Sequence, residues 1–374
     1  MNNVPNLRFN EFSGEWESLK ISETLKIKHG RDQKKIQVED GIYPILATGG
    51  EIGRTNIPLY DKESVLIGRK GTIDKPIYMN SPFWTVDTLF YSEIKNNMVP
   101  KFIFYKFQNI NWRKYCEASG VPSLSASTIE GIRYNVPQKQ EQEKIASFFS
   151  LIDKKIELQT EKVEELKNYK KGIMQKIFSQ ELRFKDENGN DYPSWTKCKI
   201  YDCFVERSKK GFKDLELLSV SMEKGVIKRS EIESKDNSSE NKSNYKLVKK
   251  DDIVYNSMRM WQGASGLSEY EGIVSPAYTV LTPKKGIYSN YFSYLFKMHN
   301  MIYEFRKYSQ GLTSDTWNLK YLQIKDIKVN LPSYEEQVKI SQFFNKIDIK
   351  IEKEQDNLKC LIEYKKGLLQ QMFI

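Results

Sequence analysis

Side chains able to carry out covalent or metal chemistry are sparse in this 374-residue sequence. The four cysteines, Cys116, Cys198, Cys203 and Cys360, are scattered, and the one close pair has C-x4-C spacing with no second pair to complete a zinc site. Neither a metal site nor a disulfide framework is expected. With only His29 and His299 present, a catalytic triad, a zinc hydrolase or a histidine acid–base pair would rest on isolated residues. No Gly-x4-Gly-Lys-Ser/Thr phosphate loop occurs. The acidic run ESKD at 233–236 lies in a polar stretch, without the apolar strand needed to present a nuclease site.

Such a chain is more readily a binder than a catalyst, and its charge says where binding would occur. Lys and Arg number 59 against 49 Asp and Glu, a net charge of +10. The length suits two or three domains, and 22 Tyr with 19 Phe supply ample core, which excludes a disordered chain. A mean hydropathy of -0.61 and the lack of a long apolar run predict a soluble protein. The N-terminal residues show no secretory signal, so a cytoplasmic location is expected.

An internal repeat organises everything else. Residues 136–178 align without a gap to 331–373 at a constant offset of 195, with 19 of 43 pairs identical. The identities include Gln142/Gln337, Ile145/Ile340, Phe148/Phe343, Phe149/Phe344, Asp153/Asp348 and the run Tyr169 to Gly172 against Tyr364 to Gly367. Each copy opens on a proline, Pro137 or Pro332, and then runs about 40 residues with apolar positions at helical spacing. Each is predicted to be one long helix.

Written as heptads, the first helix has a seam of Ile145, Phe149, Ile152, Ile156, Val163, Leu166 and Ile173, broken by Gln159 and Lys170. The second repeats it with Ile340, Phe344, Ile347, Ile351, Leu358, Leu361 and Leu368, broken by Glu354 and Lys365. Matching seams are best buried against each other, as a coiled-coil pair roughly 60 Å long at 1.5 Å per residue. The alternative is that each helix packs only on its own domain.

The repeat reaches beyond the helices: LRFNEFSGEW at Leu7 to Trp16 resembles LRFKDENGNDYPSW at Leu182 to Trp195. The order is therefore cyclic, globular segment then helix, twice, as though a circle had been cut open. Antiparallel pairing would place a pseudo-two-fold axis at the helix midpoints, the globular segments at opposite ends and the termini close together. Of the +10 net charge, the two globular segments hold +9 and the helices +1. A polyanion would bind the former, although a solvated basic surface without a partner would look the same.

Both globular segments read as short strands and turns with flanking helices. IYPILATGGEIGRTN (42–56) and the stretch from Ser64 to Glu93 resemble strands and loops, and 101–120 a helix; in the second segment 251–283 takes the place of the LIGRKG stretch. The two segments differ far more than the helices do. Similar spacers with divergent heads suit two different surfaces held at a fixed separation.

The helices with P-x4-Q-x2-I, the aspartate and the closing YKKG, each following a segment that ends in SGVPSLS or SQGLTSDT, resemble the specificity subunit of Type I restriction-modification systems. The resemblance covers essentially the whole chain. It implies an α+β fold with two target recognition domains (residues 1–136 and 183–331) of mixed strands and flanking helices, separated by spacer helices (137–182 and 332–374) that form an antiparallel coiled coil with a pseudo-two-fold cyclic repeat. Each recognition domain would read half of a bipartite asymmetric site in double-stranded DNA, with the helices as the ruler. It implies no catalysis by this chain. Two modification subunits would bring S-adenosylmethionine for adenine methylation, and two restriction subunits ATP and Mg for translocation and cleavage. NSPFW (Asn80 to Trp84) and SPAY (Ser275 to Tyr278) approach the Asn-Pro-Pro-aromatic motif of adenine methylases, but both lack the second proline, and a strand edge or turn is the better reading.

Base reading needs paired donors, and backbone positioning needs cations or amides near phosphates. In the first head the candidates are Arg54, the loop Gly68, Arg69, Lys70, Gly71 and Thr72, and a second loop with Ser119, Gly120, Ser123 and Ser125. In the second head they are Asn256, Ser257, Met258, Arg259, Trp261 and Gln262, with Ser309, Gln310 and Thr313. Each could instead form a structural turn. Lys209, Lys210, Lys249 and Lys250 are candidate phosphate contacts or solvated lysines. For docking of the modification subunits, the exposed-flank candidates are Tyr169 and Lys171 with Tyr364 and Lys366; Lys170 and Lys365 fall on seam positions and could set register. Two readings from other classes stay open: a non-restriction scaffold with two basic DNA-binding heads, and a standalone nuclease or methylase.

Overall fold

The computed structural model describes residues 3–222, 224–233 and 238–373; Ser234 to Asp236 of the ESKD run lie outside them. The chain forms two compact units, Met1–Lys162 with Glu354–Ile374, and Val163–Lys353. Each unit thus takes one globular segment and half of each long helix. Among the described residues no helix is long and apolar enough to cross a membrane.

In the first unit, Glu17–Lys20 pairs antiparallel with Arg133–Val136, bringing the ends of the globular segment together just before the long helix starts. A four-stranded sheet runs in the order Leu25–Lys28, Leu89–Ile94, Ser64–Gly68, Ile77–Met79. A second runs Gln37–Val38, Gly50–Thr55, Tyr43–Ala47, Trp84–Thr85. The 42–56 stretch, expected as strands and loops, forms a hairpin, with Tyr43 opposite Thr55, Ala47 opposite Gly50 and a bulge between Ile45 and Leu46. NSPFW is a turn into a strand: Phe83 is buried and bridges to Tyr60. SPAY is likewise a turn, closed by the Tyr278 N–H on the Ser275 carbonyl at 3.0 Å.

The helix expected over 101–120 is shorter, Pro100–Asn109, followed by a single 3-10 turn at Trp112–Tyr115. The buried Trp112 is the reason. Its indole N–H donates to the Phe107 carbonyl at 2.8 Å, taking a C-terminal acceptor of the helix and turning the chain inward.

The second unit repeats this plan. Thr196–Lys199 pairs with Lys328–Leu331, and a four-stranded sheet runs Phe204–Glu206, Tyr278–Pro283, Ile253–Asn256, Ser265–Leu267. Ile253–Asn256 holds the place of Ser64–Gly68, as the sequence predicts. Leu218–Ser221 with Gly225–Lys228, and Lys246–Val248 with Gly272–Val274, make two smaller pairs, and the helices Ser289–Leu295 and His299–Tyr308 share an apolar cluster with the four-stranded sheet.

The two long helices are Lys139–Phe178 and Tyr334–Met372. The first ends where Gln180 takes the left-handed conformation, φ 64°. Within the first unit Phe149 meets Phe373 (centroids 5.9 Å apart), Asp153 meets Lys365 and Gln159 meets Glu354. In the second, Lys170 meets Asp348 and Phe178 stacks on Phe344 at 6.2 Å. Numbers rise on one helix as they fall on the other, so the pairing is antiparallel. Of the predicted seam, Ile145, Phe149, Val163, Ile340, Phe344, Ile351 and Leu368 are buried, and Ile152, Ile156, Leu166, Ile173, Ile347, Leu358 and Leu361 half-buried. The polar breaks meet as well: Gln159, at the position equivalent to Glu354, donates to its carboxylate at 2.7 Å and to its carbonyl at 2.9 Å.

The repeated LRF and Trp residues clamp the start of each helix. Arg8 donates through Nε and Nη2 to Glu141 at 2.8 and 2.7 Å, and the Trp16 indole adds a third donor at 3.3 Å. Arg183 and Trp195 hold Glu336 in the same way. Both carboxylates are buried, and the forked guanidinium satisfies both oxygens. Next to them Gln142 accepts from the Val99 N–H and donates to the Pro137 carbonyl, and Gln337 does so with Tyr288 and Pro332. The two termini are adjacent, with the Leu7 N–H donating to the Gln371 carbonyl at 3.0 Å and Trp16 packed edge-on against Phe373.

Candidate nucleic-acid interface

Each unit builds its candidate surface from the same two loops. In the first, the strand Ser64–Gly68 ends in the Gly68–Thr72 loop, and the chain returns beside it at 119–125. The Leu124 N–H donates to the Arg69 carbonyl at 3.0 Å, the Gly71 N–H donates to the Pro122 carbonyl at 2.8 Å, and Lys70 bridges to Ser123. Gly68 is required at this site, since a Cβ there would lie 2.1 Å from the Thr72 carbonyl oxygen; Gly71 has φ +85°. Ser125 caps the helix Ala126–Gly131, accepting from Thr128 N–H at 3.1 Å. Ser125 and Thr128 also donate to Glu117, and these hydrogen bonds hold the Glu117 carboxyl below its usual range. The second loop is a braced structure.

In the second unit the strand Ile253–Asn256 ends in 256–262, and the Leu319 N–H donates to the Ser257 carbonyl at 2.9 Å, the counterpart of Leu124 on Arg69. Arg69 and Ser257 correspond in a second bond too, their N–H groups donating to Thr88 and Ala277 at the start of the neighbouring strand. Gln310 and Asn318 exchange backbone hydrogen bonds at 3.0 and 2.8 Å and close the returning loop. The structure thus brings each predicted loop pair together.

Individual side chains divide. Lys70 and Arg259 are exposed, and neither head group has a partner among the described residues. Arg69 is ion-paired with Asp87. Arg54 is held by Glu51 at 3.0 Å and donates to the carbonyls of Gly41 and Ile42 at 3.3 Å. Ser257 is buried against Thr279, Asn256 accepts from the Met258 N–H, and Ser309 donates to the Phe305 carbonyl. Ser119, Gly120, Gln310 and Thr313 are exposed, and Thr72, Ser123 and Gln262 half-buried. Trp261 packs edge-on to Trp317 with centroids 5.3 Å apart, and Arg306 lies over the Trp317 ring at 5.3 Å. Lys209, Lys210, Lys249 and Lys250 are exposed.

Three contributors escape sequence reading. Trp317 and Arg306 complete the aromatic cluster from residues outside the motifs, although the Trp after SQGLTSDT was a visible signal. Lys297 has no such signal: it donates to the Gly263 carbonyl at 2.6 Å and to Met222 at 3.1 Å, anchoring the 260–263 turn, and burial lowers its pKa to about 8. On the helices, Tyr169, Lys171, Tyr364 and Lys366 are exposed as expected, joined in the first unit by Leu151, Leu158 and Ile362 and in the second by Ile349. Lys170 and Lys365 belong to the seam, paired with Asp348 and Asp153.

The sequence matches a family described as Type I restriction modification DNA specificity domain over residues 13–168 and 192–363, one match in each half. A curated relative, the Type I restriction enzyme MjaVIII specificity subunit of Methanocaldococcus jannaschii, is 24% identical over 218 residues, 53% of this chain and 51% of the relative; the match therefore spans about half of that protein's length. Among solved structures, the chain resembles the Type I restriction-modification S subunit from M. genitalium (TM-score 0.64, 17% identity, 99% of each chain). It also resembles a chain from a structure of the assembly and conformational transition of the type I restriction-modification system (TM-score 0.55, 11% identity, 96% of this chain and 97% of that one).

Proposed function

Because the chain belongs to the Type I restriction-modification DNA specificity family, we propose that it is the DNA-reading subunit of such a system, each unit recognising half of a bipartite asymmetric site. The observation that carries this reading is the repeated loop frame. Leu124 on Arg69 and Leu319 on Ser257 are the same backbone contact, yet one frame presents Lys70 and small polar residues and the other Arg259, Gln310 and an aromatic cluster. Equivalent frames with unlike side chains suit two different half-sites.

The two long helices, nearly neutral and closely similar, set the unspecified spacer and dock two modification subunits along exposed flanks that include Tyr169, Lys171, Tyr364 and Lys366. In this assembly S-adenosylmethionine resides on the modification subunits, and ATP with Mg on two restriction subunits. This chain reads and positions, and the chemistry belongs to its partners in the cytoplasm.

A genome-wide adenine-methylation map of the host with and without the gene tests the proposal. Loss of methylation at one asymmetric bipartite motif is the expected result. Identical maps, together with failure to co-purify a modification subunit, would overturn it in favour of a sequence-indifferent scaffold.

A further inference from the structure

We infer that Leu312, with Val121 at the equivalent place in the first unit, is an apolar reader that packs on the C5 methyl group of a thymine in the major groove. The inference rests on the DNA-reading function proposed above. Leu312 is 100% exposed and Val121 66%, although both are aliphatic. Each follows a glycine in the returning loop, and each precedes the leucine, Leu319 or Leu124, that anchors that loop to the strand end. The second-unit loop is four residues longer between tip and anchor, so its tip lies further out along the chain.

The tip of the second loop is braced. Gly311 has φ +150°, and a Cβ there would lie 2.7 Å from the Thr316 backbone. The Thr316 hydroxyl donates to the Thr313 carbonyl at 2.9 Å, the Thr316 N–H donates to the same carbonyl at 3.0 Å, and Gln310 and Asn318 close the base. A loop fixed in this way holds a leucine in water at a constant cost in apolar exposure, which a partner surface would recover. Gln310 and Thr313, on either side of this tip, are exposed donors suited to base edges. Among the groups a major groove presents, the thymine methyl is the apolar one, and it is the one such a side chain can distinguish. In the first unit Val121 likewise follows a glycine, Gly120, and lies two residues before Ser123, which bridges to Lys70, so an exposed aliphatic loop tip is common to both units although the Gly311 bracing is particular to the second.

The test uses the full chain bound with its modification subunit to a duplex carrying the methylation-mapped motif, with thymines replaced one at a time by deoxyuridine. One replacement in one half-site is expected to weaken binding about threefold to tenfold, the scale of one lost methyl contact. Leu312→Ala should weaken the thymine duplex by the same factor and be indifferent to that replacement. Val121→Ala should do so for the other half-site. Specific binding that is unaffected by deoxyuridine overturns the inference while the proposed function stands, even if Leu312→Ala weakens binding, because the side chain then acts as a wedge or a support. Absence of any sequence-specific binding by the wild-type complex overturns the proposed function and this inference with it.

Discussion

Lys365 Nζ lies 2.6 Å from Asp153 Oδ1, and the same ammonium sits over the Tyr105 ring, whose hydroxyl donates to the other oxygen of Asp153 at 2.7 Å. The second unit repeats the triad with Lys170, Asp348 and Tyr294, whose hydroxyl donates at 2.8 Å. Each aspartate on one long helix therefore ties the other helix to a flanking helix of the globular segment. The triad accounts for Lys170 and Lys365, the first lysine of the YKKG run in each copy.

Replacing Lys365 with Met is expected to cost about 1–2 kcal/mol, since the pair is only partly exposed, and a double-mutant cycle with Asp153→Asn should return a coupling near 1 kcal/mol. Urea titration measures both. Additive single effects would show that the pair carries no interaction energy.

The clamp at the helix start is a harsher test, because Glu141 is buried. Arg8→Ala leaves that carboxylate uncompensated and is expected to destabilise the first unit by about 3–5 kcal/mol; Arg183→Ala should act likewise through Glu336. Replacing both members, Arg8→Met with Glu141→Leu, should recover most of the loss. Thermal unfolding of the single and double variants decides.

Acid stability should report on the meeting point of the helices. Hydrogen bonds from Lys162 and Gln159 hold Glu354 down to about 2, against an ordinary 4.5. A carboxylate with a lowered folded pKa contributes its full stabilisation above pH 4.5, and that contribution is lost as pH falls from 4.5 toward 2. Glu354→Gln should therefore flatten the stability profile between pH 4.5 and 2 while leaving its shape unchanged above pH 5. An unaltered acid limb would remove Glu354 from the account.

Gly68→Ala should disrupt the first loop pair, because the new Cβ meets the Thr72 carbonyl. A loss of about 1–3 kcal/mol is expected, with first half-site recognition impaired and the second intact. Competition binding with each half-site scrambled in turn separates the two.

Lys70→Ala and Arg259→Ala distinguish positioning from reading. If Lys70 contacts a phosphate, the log–log salt slope should fall by about 1, with affinity dropping evenly across sequences. If Arg259 pairs with a guanine edge, its loss should cost about 1–3 kcal/mol at one base pair only. Titrations at several salt concentrations on variant duplexes measure both.

The two long helices, their matching seams and the equivalence of the polar breaks Gln159 and Glu354 are legible in the sequence, while the antiparallel sense of the pairing and the adjacency of the termini are seen in the contacts. The former follow from a 3.6-residue period and from a repeat at constant offset, both written along the chain. Which candidate cations are available is seen only in the folded chain. Arg54 and Arg69 have the same composition signal as Lys70 and Arg259, yet Glu51 in the same strand engages Arg54 and Asp87, in the turn before Leu89–Ile94, engages Arg69. The folded chain also shows that the 101–120 helix stops at Asn109, through a tryptophan turning back on a carbonyl, and that Lys297 anchors a turn from another helix. Loop return joins residues more than 50 positions apart, Leu124 to Arg69 and Leu319 to Ser257, whereas the carboxylates that engage Arg54 and Arg69 lie 3 and 18 positions away, brought within reach by the local backbone conformation.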